Sequence, residues 1–235
     1  MSKQIITDSD SKIIVALDYS NEEQALEFVN KVTPDLCKLK IGKELFTTAG
    51  PRFVEKIVEK NFDVFLDLKF HDIPNTVMKA CNAASELGVW MVNVHALGGK
   101  TMMQAAKEGV SNSPTKLIAV TILTSMGQED LSQIGIQSPV QDQVVNLASL
   151  ANEAGLDGVV CSAKEVIVLR QQLNKEFLLV TPGIRPKGNE SSDQKRVMTP
   201  AEAMNAGSSY LVIGRPITQS DSPIATLESI LLEIA

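Results

Sequence analysis

The sequence lacks the features that would direct it to a membrane or a nucleic acid. None of its apolar runs approaches the ~20 residues of a membrane span. No run of five or more Lys and Arg is present, and the formal net charge is −6. The segment 1–12 is polar, with Asp8 and Asp10, unlike a signal peptide. We therefore expect no membrane and no nucleic-acid partner, and an anionic ligand would have to be held by local positive charges.

Cysteine is also scarce, and its spacing excludes two kinds of site. Cys37, Cys81 and Cys161 are odd in number and far apart, so no pair has the spacing of zinc ligands. Cys37 and Cys161 lie in apolar, strand-like surroundings. The sequence thus predicts reduced core cysteines in a cytoplasmic protein, with no metal site.

Short apolar runs alternate with amphipathic stretches from residue 13 onward. Eight runs have the length and composition of buried strands: residues 13–17, 36–41, 64–68, 89–94, 117–123, 158–161, 178–181 and 210–213. Helical patterns occupy the intervals: residues 22–32, 51–60, 76–87, 100–109, 140–154, 163–173, 200–206 and 224–234. Eight such alternations indicate an α/β protein whose parallel strands close into a barrel.

No linker or low-complexity segment divides the chain, which is 44% hydrophobic and can bury one barrel-sized core. We predict a single-domain (β/α)₈ TIM barrel over residues 13–235, preceded by a polar N-terminal extension, residues 1–12. The alternative is an open doubly wound sheet, but no G-x-G-x-x-G motif follows the first strand.

One strand ends in an unusual group of charges. Asp67 and Lys69 share one side of an alternating strand, and Asp72 follows just beyond its end. Charges are costly to bury unless they are paired, so these residues form either a structural ion pair or a reactive centre.

Other polar side chains recur where the predicted strands stop. They are Asp18, Lys40, His95, Thr124, Ser125 and Arg215. Groups drawn from several strands onto one rim are typical of a barrel active site. Lys38 shares a face with Lys40, and we favour Lys40 because it lies nearer the carboxyl end. His95 could equally be a buried, hydrogen-bonded support.

A phosphate site is predicted near the last two strands. Gly214 and Arg215 directly follow an apolar run, and they offer an approachable backbone N–H and a bidentate guanidinium. The long connection 185–199 is polar and could close over the site, carrying Arg185 and Gln194 towards the phosphate. A second long connection, 125–139, leaves the same face.

These motifs together resemble the orotidine 5′-phosphate decarboxylase family from Ile13 onward. The matching segments are Leu17-Asp18, Leu39-Lys40-Ile41-Gly42, Asp67-x-Lys69-x-x-Asp72-Ile73-Pro74-Asn75-Thr76, Val94-His95-Ala96, Leu123-Thr124-Ser125, Thr181-Pro182-Gly183-Ile184-Arg185, Gln194 and Ile213-Gly214-Arg215-Pro216.

The resemblance implies a cofactor-free decarboxylation of orotidine 5′-monophosphate to uridine 5′-monophosphate by a homodimer. It implies that Lys69 is the proton donor, that Asp67 and Lys40 are its charged neighbours, and that Asp72 reaches the partner's site. It further assigns substrate contacts to Asp18 and Lys40 at the ribose, to Thr124 and Ser125 at the pyrimidine, and to Arg185, Gln194, Gly214 and Arg215 at the phosphate. Asp67 and Thr76, both in the signature segment, are also implied to bind the substrate.

Two other functions remain open from the sequence. Sugar-phosphate decarboxylases and synthases of the same barrel group share the Asp-x-Lys-x-x-Asp core and use a metal, although the residues 73–76 and 123–125 favour the nucleotide branch. A non-catalytic phosphate-binding barrel is the other alternative, and the intact Asp67, Lys69 and Asp72 argue against it.

Overall fold

Eight parallel strands close into a barrel in chain order in the structure, a computed structural model that describes residues 10–186 and 198–235. The strands are β1 (Ile13–Leu17), β2 (Lys38–Gly42), β3 (Val64–Phe70), β4 (Met91–His95), β5 (Lys116–Val120), β6 (Gly158–Val160), β7 (Leu178–Thr181) and β8 (Tyr210–Ile213). Pairing of β8 with β1 completes the ring. The predicted TIM barrel is confirmed, and the open doubly wound sheet is excluded.

Helices connect the strands on the outside of the barrel. They are α1 (Glu22–Val29), α2 (Lys43–Ala49), α3 (Pro51–Glu59), α4 (Pro74–Glu86), α5 (Gly99–Gly109), α6 (Gln128–Gln133), α7 (Val140–Glu153), α8 (Val166–Gln172), α9 (Pro200–Ala206), α10 (Arg215–Thr218) and α11 (Pro223–Ile234), with short 3₁₀ turns at Ala96–Gly98 and Ala163–Glu165. The helical patterns of the sequence match all but α2, α6 and α10, which are short.

Local chemistry explains where several helices begin. The side chain of Asn21 accepts a hydrogen bond from the N–H of Gln24 at the start of α1. Thr199 and Glu202 cap each other's backbone N–H groups at the start of α9. Because each cap satisfies N–H groups that a helix leaves free, these boundaries are encoded locally.

The core has two layers. Between strands and helices lies a large apolar layer that includes Val15, Leu39 and Phe53. Inside the barrel lies a smaller cluster formed by Ile14, Ala16, Phe65, Met91, Ile118, Val180, Tyr210 and Val212. Strand residues alternate between the two layers, so the strands are apolar on both faces, as the continuous apolar runs predicted.

The amino-end face of the barrel is closed by buried charge. Lys38 has a side chain only 4% exposed, and its Nζ lies 2.6 Å from Asp63 and 3.1 Å from Asp10. The same ammonium stands 4.7 Å from the ring centre of Trp90. Asp10 also accepts a hydrogen bond from the Tyr210 hydroxyl at 3.1 Å. The contacts of Asp10 thus tie the segment preceding β1 to the floor of the barrel.

The two long connections differ in what the structure shows. The first, 125–139, contains α6, which the sequence analysis did not predict. The second pairs Ile184 with Met198 at its base, and the N–H of Arg185 donates to the carbonyl of Met198. Residues 187–197, including Gln194 and the proposed closing segment, lie outside the described residues. Among the described helices, none is long and apolar enough to cross a membrane.

Candidate active site

A pocket of about 200 Å³ opens at the carboxyl ends of the strands. It is lined by Lys40, Phe65, Asp67, Lys69, Val120, Ile122, Leu123, Thr124, Val160, Pro182 and Val212. Charged side chains from β2 and β3 form one wall, and aliphatic side chains from β5, β6 and β8 form much of the rest. A ligand with a flat, partly apolar ring and a polar edge fits this division.

Lys69 and Asp67 form the centre of the charged wall. The Nζ of Lys69 lies 2.6 Å from Oδ1 of Asp67. The Nζ of Lys40 lies 3.4 Å from Oδ2 of Asp67 and 3.4 Å from Oδ1 of Asp18. A cation, an anion and a second cation therefore alternate across the pocket wall, with Asp18 at the exposed end.

Asp67 stays ionised although it is buried. Burial by itself would raise the pKa of this carboxyl, but the positive charges of Lys40 and Lys69 and hydrogen bonds from Lys69 and Asn93 hold its pKa below the ordinary value. The carboxylate thus keeps the neighbouring ammonium groups in place at neutral pH.

Strand β3 is irregular where it carries these residues. Leu66 pairs with Val92 and Phe70 pairs with Val94, so four steps along β3 match two steps along β4. Lys69 has a φ of +55°, a left-handed conformation that is uncommon outside glycine. The sequence predicted regular alternation at this point. The structure has a bulge there instead, and within this bulge the Lys69 ammonium contacts Asp67.

Asn93 is a site residue that the sequence analysis missed. It is fully buried on β4, where its Oδ1 accepts from the N–H of Lys69 at 2.8 Å and its Nδ2 donates to Oδ1 of Asp67 at 2.7 Å. The signal in the sequence is a single amide inside the apolar run 89–94, because a buried amide needs hydrogen-bond partners.

The structure separates the two candidate lysines of β2. Lys40 lines the pocket, whereas Lys38 lies at the opposite end of the barrel with Asp10 and Asp63. Gly42, directly after this stretch, leaves room for Lys40, because a Cβ at Gly42 would lie 3.2 Å from its Nζ.

Several predicted site residues lie outside the pocket lining formed by the described residues, among them Asp18, Asp72, Thr76 and Ser125. Asp72, Thr76 and Ser125 are exposed. The Oδ1 of Asp72 accepts a hydrogen bond from the N–H of Ile73 at 2.6 Å, and Thr76 lies in the first turn of α4. Within one chain, Asp72 is not joined to the Lys69–Asp67 pair by any ion pair of the described residues.

The predicted phosphate residues lie at the ends of β7 and β8. Arg185 follows the Ile184–Met198 pair, and its Nη1 donates to the carbonyl of Ile184. Gly214 directly follows β8 and lies beside Asp18, since a Cβ at Gly214 would lie 3.5 Å from Oδ2 of Asp18. Arg215 opens α10 and is exposed. Gln194 lies outside the described residues.

His95 does not have the hydrogen bond expected of a buried support at its Nδ1. This atom is buried and has no partner within residues 10–186 and 198–235. The ring packs against that of His71, with centroids 5.6 Å apart. Burial, and electrostatic interaction with His71, Lys43 and Lys69, lower the pKa of His95 and favour its neutral form.

Comparisons with known proteins agree with this geometry. Residues 11–230 match the family model described as Orotidine 5′-phosphate decarboxylase / HUMPS family. The chain is 59% identical over 229 residues to the orotidine 5′-phosphate decarboxylase of Pseudoalteromonas atlantica, covering 96% of this chain and 99% of that protein. It is also 59% identical over 227 residues to the orotidine 5′-phosphate decarboxylase of Nitrosococcus oceani, with 96% and 98% covered.

A solved structure gives the same result for the fold. The crystal structure of orotidine 5′-phosphate decarboxylase from Lactobacillus acidophilus superimposes with a TM-score of 0.87 at 41% sequence identity, covering 96% of this chain and 99% of that one. With the barrel, the pocket and the Lys69–Asp67–Lys40 arrangement in place, the chain belongs to the Orotidine 5′-phosphate decarboxylase / HUMPS family.

Proposed function

We propose that this protein decarboxylates orotidine 5′-monophosphate to uridine 5′-monophosphate and CO₂ without a cofactor, the last step of de novo uridine 5′-monophosphate synthesis. The observation that carries the proposal is the Lys69 ammonium held 2.6 Å from Asp67 in the wall of a largely apolar pocket. Relatives 59% identical over nearly the whole chain are named orotidine 5′-phosphate decarboxylase, which supports the same activity.

The chemistry requires a fixed cation beside carbon 6 of the pyrimidine. When the bond to the carboxylate breaks, its electron pair stays in the plane of the ring, where the π system cannot delocalise it. A preorganised ammonium in a pocket closed to water stabilises this developing carbanion. Lys69 supplies that charge and then transfers its proton to carbon 6, so that CO₂ and the protonated product result.

The surrounding charges prepare Lys69 for this role. Asp67 orients the Lys69 ammonium through their 2.6 Å contact, and Lys40 lies 3.4 Å from the other oxygen of Asp67. If the Asp67 carboxylate lies close to the carboxylate of the substrate, their repulsion also raises the energy of the bound ground state. Asp18 and Lys40, at the exposed end of the wall, bind the ribose hydroxyls. Thr124 and Ser125 contact the pyrimidine at the mouth of the pocket.

The phosphate end is assigned to Arg185, Gln194, Gly214 and Arg215. Arg215 follows Gly214 at the end of β8, the position where barrels of this kind commonly bind phosphate. The phosphate is far from the bond that breaks, so its binding energy is available to hold the charged substrate in the pocket.

Arg215→Ala should strongly lower kcat/KM for the phosphorylated substrate and barely change kcat/KM for a substrate without phosphate. Losing a charge-assisted contact lowers kcat/KM by roughly 10- to 150-fold when the contact is present. The measurement is kcat/KM for orotidine 5′-monophosphate and for orotidine, with Lys56→Ala as a control because Lys56 pairs with Glu22 on the outer surface. Equal losses on both substrates would place Arg215 outside the phosphate site.

The functional unit is a homodimer in which Asp72 enters the partner's site. Support comes from Asp72 being exposed, outside the pocket lining of its own chain, and next to Ile73, whose side chain is 67% exposed. Leu97, near the end of the neighbouring strand, is 38% exposed. Apolar side chains beside a charged site residue suit a surface that a second copy covers.

A metal-dependent sugar-phosphate reaction is the less favoured alternative. The oxygens of Asp67 already contact the ammonium groups of Lys40 and Lys69. In the two described ranges, no three His, Cys, Asp or Glu side chains are grouped as metal ligands would be. In this proposal the Lys69 ammonium, and not a metal ion, is the cation that acts on the substrate.

Conversion of orotidine 5′-monophosphate should therefore proceed equally with and without a chelator. The loss of ultraviolet absorbance on formation of uridine 5′-monophosphate measures it directly, with a parallel assay on keto-sugar phosphates plus Mg²⁺. Turnover of the sugar phosphate alone, dependent on Mg²⁺, would contradict the proposed function.

A cytoplasmic location fits the cysteines. Cys37, Cys81 and Cys161 are buried and free. Burial raises the pKa of Cys37 and of Cys81 to about 12, so both thiols remain protonated and unreactive. Free thiols in the core are typical of a reducing compartment.

A further inference from the structure

The bulge in β3 leaves backbone groups without hydrogen-bond partners in the ladder between β3 and β4. Between the pairs Leu66–Val92 and Phe70–Val94, the extra residues of β3 have no backbone counterpart on β4. The N–H of Lys69 therefore needs another acceptor, and it must be one that tolerates the left-handed backbone at this residue. A buried N–H without a partner would favour a return to regular pairing.

Asn93 provides that acceptor from the strand opposite the bulge. It lies on β4 between Val92 and Val94, fully buried, and its Oδ1 accepts from the N–H of Lys69 at 2.8 Å. The other half of the same amide, Nδ2, donates to Oδ1 of Asp67 at 2.7 Å. That oxygen is also the one that accepts from the Lys69 ammonium at 2.6 Å.

We infer that Asn93 is a positioning residue for decarboxylation, because its one amide holds both the Asp67 carboxylate and the left-handed backbone of Lys69. This inference rests on the proposed function, since its catalytic consequence is the placement of the Lys69 ammonium. Asn93 itself does not line the pocket formed by the described residues and acts through its two neighbours.

The amide is suited to this task by its chemistry. One planar group offers an acceptor to the backbone and a donor to a carboxylate at fixed separation. Leucine has nearly the same shape and offers neither bond. Aspartic acid offers both when protonated, but when ionised it loses the donor and repels Asp67.

The test compares Asn93→Leu and Asn93→Asp with Thr115→Val as the matched control. The hydroxyl of Thr115 is buried and donates to the carbonyl of Val89 at 2.7 Å, at the amino-end side of β5 and away from the pocket. Asn93→Leu removes two buried hydrogen bonds at the site, Asn93→Asp keeps both only while its carboxyl is protonated, and Thr115→Val removes one buried hydrogen bond away from the site. Each variant is assayed for folded fraction, for kcat and KM with orotidine 5′-monophosphate, and for binding of uridine 5′-monophosphate.

Asn93→Leu should lower kcat about 100-fold, in the range expected for losing hydrogen bonds to a charged group, with nucleotide binding changed less than about threefold. Asn93→Asp should lose activity, relative to Asn93→Leu, as its own carboxyl ionises with rising pH. The charged and titratable groups near this position are Asp67, Lys69, Lys40 and His95, and the pH profile of Asn93→Leu, which has no carboxyl at residue 93, is the baseline for the comparison. A kcat within about threefold of Thr115→Val, at equal folded fraction, would overturn the inference.

A second readout needs no turnover. The Asn93 donor helps to lower the pKa of Asp67, so an NMR titration of the Asp67 carboxyl should show a higher pKa in Asn93→Leu than in the wild type and in Thr115→Val. An unchanged pKa would overturn the positioning role. A wild-type enzyme unable to decarboxylate orotidine 5′-monophosphate would contradict the proposed function instead, and the titration would still decide whether Asn93 holds Asp67.

Discussion

Lys69→Ala should remove decarboxylation almost completely while uridine 5′-monophosphate still binds. The substitution deletes both the cation that stabilises the carbanion and the proton donor. Each of these contributes on the order of 10²-fold or more in other enzymes, so we expect a loss of at least about 10⁴-fold in kcat. Single-turnover assays measure the loss, and calorimetry measures nucleotide binding.

The control for this experiment is Lys43→Ala. Lys43 is the first residue of α2, directly after β2, and it does not line the pocket formed by the described residues. Its substitution by alanine removes the same charge from the same rim of the barrel. Its kcat should stay within about threefold of the wild type. Retention of a tenth of wild-type turnover by Lys69→Ala would show that the donor is elsewhere, because a tenfold loss is only about 1.4 kcal/mol of transition-state stabilisation.

Mixing two inactive homodimers should restore activity if Asp72 works across the dimer interface. Lys69→Ala and Asp72→Asn are unfolded together in equal amounts and refolded. Each mixed dimer then has one site with both defects and one site with neither. Random pairing in a two-fold dimer should recover about a quarter of the wild-type sites, measured as kcat per total protein.

The matched control mixes Lys69→Ala with Asp67→Asn. Both residues belong to the pocket of their own chain, 2.6 Å apart, so every site in every mixed dimer carries a defect and no activity should return. If the mixture with Asp72→Asn also stays inactive, although mass spectrometry shows mixed dimers, then Asp72 serves its own chain and the shared site is refuted.

The barrel could be predicted from the sequence because its signals are repeated and local. Five of the strands differ from their predicted bounds, as β2 does at Lys38–Gly42, yet all eight are found. The helices that escaped prediction are short. Residues 128–133 form a single stretch of under two turns, and periodicity carries little information over that length.

The sequence allowed the charged residues of the site to be predicted, but not the irregular backbone of β3 that carries them. The side chains of Asp67, Lys69 and Lys40 could be singled out because charge at a strand end is uncommon. Alternation alone placed Lys38 and Lys40 on one face, and the ends of the barrel separate them only once the register with β1 is known. The backbone N–H of Lys69 in the bulge donates to Asn93, 24 residues later, and the sequence shows this only as a lone amide in an apolar run, without its partner.

The apolar cluster inside the barrel also bears on how the carbon dioxide released by the reaction can leave. Ile14, Phe65, Met91 and Ile118 fill the axis below the pocket, and beneath them Lys38 closes the floor with Asp10 and Asp63. Carbon dioxide formed beside Lys69 thus meets packed side chains in one direction and the mouth of the pocket in the other. We therefore expect the gas and the nucleotide to leave by the same opening through which the substrate enters.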